Sequence, residues 1–487
     1  MRGRFAPYIL GTGLLGLAVF MAIFTLYAGF EREPWRGFLI TAVLSGVVGR
    51  ALTWWGTSDG EPTRREALVG VIALWFVIPF MGAFPYMIDA GFSPINAMFE
   101  SMSGFTTTGA TVLTDFDALS PSLFMWRALT QWVGGVGIIV LFIAVFPKLA
   151  IAGRQLFFAE APGPTEERLT PRLKNTSNAV LLVYVGLTVL CIIAYRLGGM
   201  GLYDAIAHAF TTLSAGGFSP KGLSFEEFSP TLVWICIIFM VFAGSNFALQ
   251  YRVVSGKPKA LLRDSEFRAY LIIIAVVTVV LTFALRTTYA PVAALRHALF
   301  QVLSIMTTAG YASADFALWP QQAQVLLIVL MFVGGSAGSA GGGIKVARWL
   351  IITKHTVREV RRALQPRAVL PLRVGGRSVP EEVFRAVAAF VTLYVGLFAF
   401  TTAILVWFGA DFTTAFTASI ACIGNIGPGL NTVGPMLNFD GLHPFSRVLL
   451  TFGMYAGRLE VVTLFVLFDP AFWRLPRVNL WRSKERS

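Results

Sequence analysis

The stretch Ser103-Gly-Phe-Thr-Thr-Thr-Gly-Ala-Thr-Val112 does not read as an ordinary membrane helix. It follows a short apolar run, Ile95 to Met102, about half of the roughly 20 residues needed to cross a bilayer. A segment of that kind enters the membrane and turns back. Irregular backbone is tolerated at membrane depth only where protein buries it or it lines a water-filled cavity, because each unsatisfied peptide group in hydrocarbon costs several kcal/mol. The stretch therefore reads as part of a pore wall.

The pattern returns three times. With Gly109 as reference, Ser214-Ala215-Gly216-Gly217, Thr308-Ala309-Gly310-Tyr311 and Asn425-Ile426-Gly427-Pro428 lie opposite Thr107-Thr108-Gly109-Ala110, at intervals of 107, 94 and 117 residues. Each copy follows a short apolar segment with a helix start: Ser93-Pro94, Asp204, Pro291 and Asp411. Each is flanked by two long apolar runs. A unit of about a hundred residues, built as helix, half-helix with a Gly turn, and helix, thus recurs four times. Four units around one axis make a single-chain pore.

Composition agrees. With 56% hydrophobic residues, 13% charged residues and a mean hydropathy of +0.69, the chain lies outside the soluble globular range and reads as an integral membrane protein. A net charge of +13 would suggest nucleic acid in a soluble protein. In a membrane protein the positions of the charges matter more than their sum, and no nucleic-acid partner is expected. Cys191, Cys236 and Cys422 sit inside apolar segments, which argues against a disulfide framework. The N-terminus resembles a signal peptide, but its apolar part is long and no small-residue cleavage site follows, so it reads as a retained helix.

Ten spanning helices are expected: Tyr8–Gly29, Gly37–Leu52, Ala67–Ile88, Leu123–Phe146, Ala179–Leu197, Leu232–Gln250, Tyr270–Leu285, Ala323–Ile352 (interrupted), Phe384–Phe408 and Phe445–Phe468. An even number puts both termini on one side. The segments 1–7, 56–66, 147–176, 251–268, 345–385 and 470–487 hold 29 of the 39 Lys and Arg, which makes that side cytoplasmic. The four Gly turns then face the extracellular half. The basic cluster Arg358, Arg361, Arg362, Arg367 and Arg373 reads either as inside-positive topology with lipid headgroup contact or as a docking surface for a cytosolic partner.

A cation leaving water must be given oxygen ligands, and backbone carbonyls supply them where the chain adopts conformations that Cβ-bearing residues resist. The expected filter is Thr107, Thr108 and Gly109; Ser214, Ala215 and Gly216; Thr308, Ala309 and Gly310; and Asn425, Ile426 and Gly427. The competing reading, glycines for close helix packing, weakens with each repetition. Helix C-terminal ends aimed at the axis add negative dipole charge.

The second feature is Gly334-Gly-Ser-Ala-Gly-Ser-Ala-Gly-Gly-Gly-Ile-Lys345. Its glycines, Gly334, Gly335, Gly338, Gly341, Gly342 and Gly343, break a helix at roughly 1 kcal/mol each against Ala. A phosphate-binding loop is disfavoured, since Val346 follows Lys345 where Ser or Thr is needed. The stretch reads as an intramembrane gate under the filter. Arg458 is the third feature, a charge deep in an apolar helix. It reads as a donor to the Gly-rich loop's carbonyls and an electrostatic barrier, against a salt bridge with Glu460 or snorkelling. Ser245 and Asn246 read as helix–helix or pore-lining polar groups; His208, His297, His355 and His443 lack metal-ligand spacing; and no catalytic set is visible, so no enzyme is expected.

Four pore repeats, an N-terminal helix pair, the Gly-rich interruption before Ile344-Lys345 and the late Arg458 resemble the Trk/Ktr/HKT superfamily, and its bacterial TrkH-type potassium uptake proteins in particular. The linker Leu156-Phe-Phe-Ala-Glu-Ala-Pro-Gly-Pro164, Thr170-Pro-Arg172 and Ala215-Gly-Gly-Phe-Ser219 are similar to theirs. The resemblance implies potassium as the permeant substrate with no cofactor, a homodimer with one pore per subunit, a cytosolic TrkA-type nucleotide-binding regulator, and residence in the bacterial inner membrane. Relatives with Ser at the first filter glycine favour sodium, so Gly109 argues for potassium. Ala340 stands where Thr is common in the loop.

The expected fold is therefore an all-α integral membrane protein with four pseudo-symmetric repeats around one pore. The divisions are a helix pair over 1–66 and repeats over 67–176, 177–268, 269–381 and 382–487. A proton- or sodium-coupled secondary transporter is the alternative, with Glu460 and Glu100 as its candidate carboxylates.

Overall fold

A computed structural model of the chain describes residues 4–57, 63–140, 169–368 and 370–473. The linker Leu156–Pro164 and most of the basic segments 147–176 and 470–487 lie outside them. Among the described residues the fold is helical apart from one hairpin of two-residue strands, Arg373–Val374 and Arg377–Ser378. The chain belongs to the all-α membrane class.

Among the described residues six helices are long and apolar enough to cross a bilayer: Phe5–Phe30, Arg36–Trp55, Arg65–Asp89, Ser177–Leu197, Ser265–Leu285 and Glu381–Trp407. Their apolar side chains do not all point inward. Val276, Val279 and Phe283 on one of them are more than half exposed, which is what a lipid-facing stripe requires.

The first two helices cross closely at glycine. A Cβ on Gly11 would lie 2.7 Å from the carbonyl oxygen of Gly49, and one on Gly49 2.9 Å from that of Gly11, so neither position accepts a side chain at this crossing. Phe24 and Phe38 stack at 5.4 Å, and Phe24 meets Trp126 edge-on at 5.6 Å, which fastens the pair to the helix Pro121–Val140.

The rest of the chain repeats one order of elements four times: a long helix, a short helix, an irregular turn, another helix. The short helices are Pro94–Phe105, Leu202–Leu213, Pro291–Met306 and Phe412–Ile423. Three begin where expected. Ser93 caps the first by accepting from Asn96 N, Pro291 opens the third, and Asp411 caps the fourth by accepting from Thr414 N. In the second unit the cap is Gly201, and Asp204 sits in the first turn, where its charge complements the helix dipole.

The second long helix of a unit is where the expected straight spans give way. Leu232–Gln250 is not one helix: Pro230–Ala243 and Phe247–Val254 meet at 101°, with Asn246 accepting from Ala248 N at 2.8 Å to start the second piece. Phe445–Phe468 divides likewise, Pro444–Arg458 and Val461–Phe468 meeting at 108° around Glu460, whose φ is +59°. The interrupted span consists of Gln321–Leu330, an irregular stretch, and Val346–Leu364. The corresponding helix of the first unit is described to Val140.

Candidate pore and gate

Three of the four short helices end in the same cap; in the third unit, Thr308 N bonds Ile305 O at 3.1 Å but Gly310 N, not Ala309 N, reaches Ser304 O, at 3.1 Å. In the first unit Thr107 N bonds Gly104 O at 2.9 Å and Thr108 N bonds Ser103 O at 2.8 Å; Ala215 and Gly216 do the same to Thr212 and Thr211, and Asn425 and Ile426 to Cys422 and Ala421. This double reversal needs a left-handed residue just past the helix. That place is held by Thr107 at φ +52°, Ala215 at +54°, Thr308 at +62° and Asn425 at +54°. None is glycine. A left-handed residue with a Cβ costs about 1–2 kcal/mol, so these four turns hold strain that the surrounding packing must impose.

Two residues later comes a left-handed glycine: Gly109 at φ +84°, Gly217 at +75°, Gly310 at +72° and Gly427 at +106°. The expected alignment is therefore one residue out in the second unit. Gly217, and not Gly216, is the counterpart of Gly109; the triplet is Ala215-Gly216-Gly217, and Ser214 belongs to the helix cap. The error arises because two adjacent glycines cannot be told apart by composition when only one has the left-handed backbone.

The four glycines close a ring. A Cβ on Gly109 would strike the carbonyl oxygen of Gly216, one on Gly217 that of Ala309, one on Gly310 that of Ile426, and one on Gly427 that of Thr108. Each unit thus abuts the next in order, and the fourth returns to the first. The same four glycines line a cavity of about 270 Å³, with Arg127 and Lys221 on its wall. Thr107 Oγ1 and Asn425 Oδ1, both at the first left-handed position, are buried without a hydrogen-bond partner in the protein.

Side chains nine positions before the glycine brace the irregular segment that follows it. Glu100 accepts from Val112 N and Thr111 Oγ1, both at 3.0 Å; His208 Nε2 lies 3.0 Å from Ser219 Oγ; Gln301 Nε2 donates to Tyr311 O at 3.3 Å. The fourth unit has Ala418 there, and Thr417 Oγ1 instead accepts from Leu430 N at 2.9 Å. Glu100 also takes a 2.5 Å bond from Arg127 Nε, and Arg127 Nη1 continues to Ser219 O while its guanidinium lies 3.7 Å from the Phe218 ring centre. First and second units are joined through that pair.

Beneath the ring lies the Gly-rich stretch, a loop with a closed neck. Gly334 N bonds Ile344 O at 2.9 Å and Val346 N bonds Gly335 O at 3.2 Å. Glu266, at the start of Ser265–Leu285, fixes the same neck, one oxygen accepting from Ala337 N at 2.7 Å and Ala347 N at 3.1 Å. The loop's body bonds to the second, third and fourth units, and Arg458 carries the connection on to the first. Ser336 N and Ala340 N bond the carbonyls of Gly244 and Ala243 at the broken helix of the second. Gly342 N bonds Thr308 Oγ1 of the third at 2.7 Å, and Lys345 Nζ turns back to Gly341 O. Arg458, from the fourth, donates to Ala340 O at 2.9 Å and to Gly134 O of the first at 3.3 Å. Glu460 does not pair with Arg458; it binds Arg348 at 2.6 Å. Residues two apart cannot share a helix face, and here the helix itself ends between them.

Gln131, Glu266, Arg348 and Arg127 are absent from the expected site. Arg127 and Gln131 carried a signal, since both are polar groups inside an apolar span and such groups are expensive unless used. Glu266 and Arg348 carried none, because charges at the edge of a span read as topology.

Nearly the whole chain, residues 36–475, matches the family model described as TrkH, cation transport protein. The chain belongs to the TrkH family. It is 39% identical over 451 residues to a Trk system potassium uptake protein TrkH of Salmonella typhimurium, covering 90% of this chain and 92% of that one. A relative of the same name from Halomonas elongata is 36% identical over 477 residues, with 95% and 98% covered. The crystal structure of the potassium transporter TrkH from Vibrio parahaemolyticus superimposes with a TM-score of 0.87 at 35% identity, covering 96% of this chain and 99% of that one. TrkH-family membership identifies the chain as a cation transport protein.

Proposed function

We propose that this chain takes up potassium through a channel-like pore along the axis of the four-glycine ring. The observation that carries the reading is the closed cycle in which each left-handed glycine abuts the next unit's carbonyl. A cation passing through must exchange its hydration shell for fixed oxygens, and four short turns of one geometry supply a symmetric set. The filter is Thr107–Gly109, Ala215–Gly217, Thr308–Gly310 and Asn425–Gly427, with the partnerless oxygens of Thr107 and Asn425 as further ligands. The names of the relatives supply the identity of the cation. The repeats run over 67–176, 177–268, 269–381 and 382–487, behind a helix pair over 1–66.

The loop Gly334–Lys345, held by Arg458, acts as the gate, because it lies beneath the filter and bonds to three units, the second, the third and, through Arg458, the fourth, with Arg458 tying it on to the first. The chain sits in the bacterial inner membrane with both termini cytoplasmic, as a homodimer whose opening is set by a cytosolic nucleotide-binding regulator of the TrkA type. The basic distribution supports that orientation.

The test is flux into proteoliposomes of the purified chain under potassium, rubidium, sodium and lithium gradients, with and without a proton gradient. Rapid potassium and rubidium flux down their gradients, with little sodium, is the expected result. A strict requirement for protons or sodium would replace the pore by a coupled carrier.

A further inference from the structure

Three of the four filter triplets carry a side chain at the middle position, Thr108, Ala309 and Ile426; the second unit has Gly216 there, followed directly by Gly217. Two consecutive glycines are the most permissive backbone available, and glycine loses more freedom on ordering than any other residue. Left alone, this quarter of the ring would be its least defined.

A residue from the neighbouring unit occupies the vacant place. Gln131, on the helix Pro121–Val140, is fully buried. Its Nε2 donates to Gly216 O at 2.8 Å, and its Oε1 accepts from Phe218 N at 3.0 Å. The amide therefore spans Gly217, bonding the peptides on either side of it. A Cβ built on Gly216 would lie 2.8 Å from Gln131 Nε2 and 2.5 Å from Oε1, so the carboxamide fills the volume where the other units keep their own side chain. The Gly216 carbonyl is also the one that Gly109 abuts, so its direction sets the contact between first and second units. A carbonyl has two lone pairs; one bond from Gln131 leaves the other for a cation.

We propose that Gln131 is a positioning residue for cation selectivity: its carboxamide stands in for the side chain that Gly216 lacks and fixes the second quarter of the filter ring. The inference rests on the reading of that ring as the potassium filter. Loosening one quarter lets the oxygens close around a smaller ion, so selectivity is what should fall.

The experiment compares rubidium and sodium influx into proteoliposomes of the full chain. Gln131→Leu keeps most of the volume and removes both polar ends; its rubidium-to-sodium influx ratio should fall at least about tenfold, equivalent to about 1.4 kcal/mol of discrimination. Gly216→Ala should lower the ratio too, because the added methyl displaces the amide. In the double variant Gly216→Ala with Gln131→Ala, the methyl enters the vacated space, and the ratio should recover above that of either single variant. A wild-type ratio retained by Gln131→Leu overturns the inference, and so does a double variant no better than its worse parent. Should Gln131→Leu fail to reconstitute, the cycle of Gly216→Ala, Gln131→Ala and their double variant decides alone. A wild-type chain that passes sodium as readily as rubidium sinks the potassium reading itself, an outcome separate from a selective wild type with a selective Gln131→Leu.

Discussion

Arg458 joins two backbones that are far apart in the chain: Nη1 donates to the carbonyl of Ala340 at 2.9 Å, and Nη2 to that of Gly134 at 3.3 Å. Ala340 lies in the Gly-rich loop and Gly134 on the second long helix of the first unit, so one guanidinium holds the loop across the bundle. Hydrogen bonds to a charged group contribute about 1.5–3 kcal/mol net. Arg458→Ala should therefore raise basal rubidium influx by about tenfold or more. Arg458→Lys, whose compact ammonium cannot present the same fork, should fall between. Influx unchanged in both variants would remove Arg458 from the gate.

Glu266 holds the same loop from the opposite end. One carboxylate oxygen accepts from Ala337 N and from Ala347 N, closing the neck and capping the helix Val346–Leu364. Glu266→Gln keeps an acceptor oxygen in place, whereas Glu266→Ala leaves two half-buried N–H groups without one, at no more than about 1–3 kcal/mol each. Hydrogen exchange of the loop amides should quicken in Glu266→Ala and stay near wild type in Glu266→Gln, with basal influx following the same order. Equal exchange in both variants would show that charge, not acceptor geometry, is what the neck uses.

Much of this was legible in the chain. Glycine spacing and apolar periodicity marked the four units because both follow from a membrane's refusal of unpaired backbone. The loop and Arg458 stood out because six glycines and one charge do not belong in an apolar helix. What stayed hidden was conformation without a compositional mark. The first left-handed position of every turn is Thr107, Ala215, Thr308 or Asn425; only Asn favours that conformation, and in the other three the strain is imposed by packing. The breaks at Asn246 and Glu460 did carry a polar mark, but apolar residues continue on both sides and so read as one span. Gly216 was preferred to Gly217 because the deciding quantity, a backbone angle, leaves no trace in composition.

Glu100 and Arg127 form an ion pair that is almost wholly buried beside the mouth of the ring. Removing one partner leaves the other charged and uncompensated, which costs about 3–5 kcal/mol, whereas replacing both is much milder. Glu100→Ala should therefore lower the thermal midpoint in detergent and cut potassium influx sharply, because Arg127 then faces the cavity as a free cation. Glu100→Gln combined with Arg127→Leu should recover more than half of the lost midpoint. Additive losses in the pair would mean the two residues act separately.

Gly217 and Gly216 offer the sharpest test of the ring's register. Gly217 has φ +75° and its missing Cβ would strike the carbonyl of Ala309, which is backbone and cannot turn aside. Gly216 lacks the left-handed angle, and its missing Cβ would meet a side chain, Gln131, that can be shortened by mutation. Gly217→Ala thus combines about 1–2 kcal/mol of backbone strain with a main-chain collision. It should abolish selective rubidium influx, and Gln131→Ala should not restore it. Gly216→Ala should be rescued by that same second change. If instead Gln131→Ala rescued Gly217→Ala, the ring would have to be redrawn through Gly216, and the cycle of glycine against carbonyl would lose its second member.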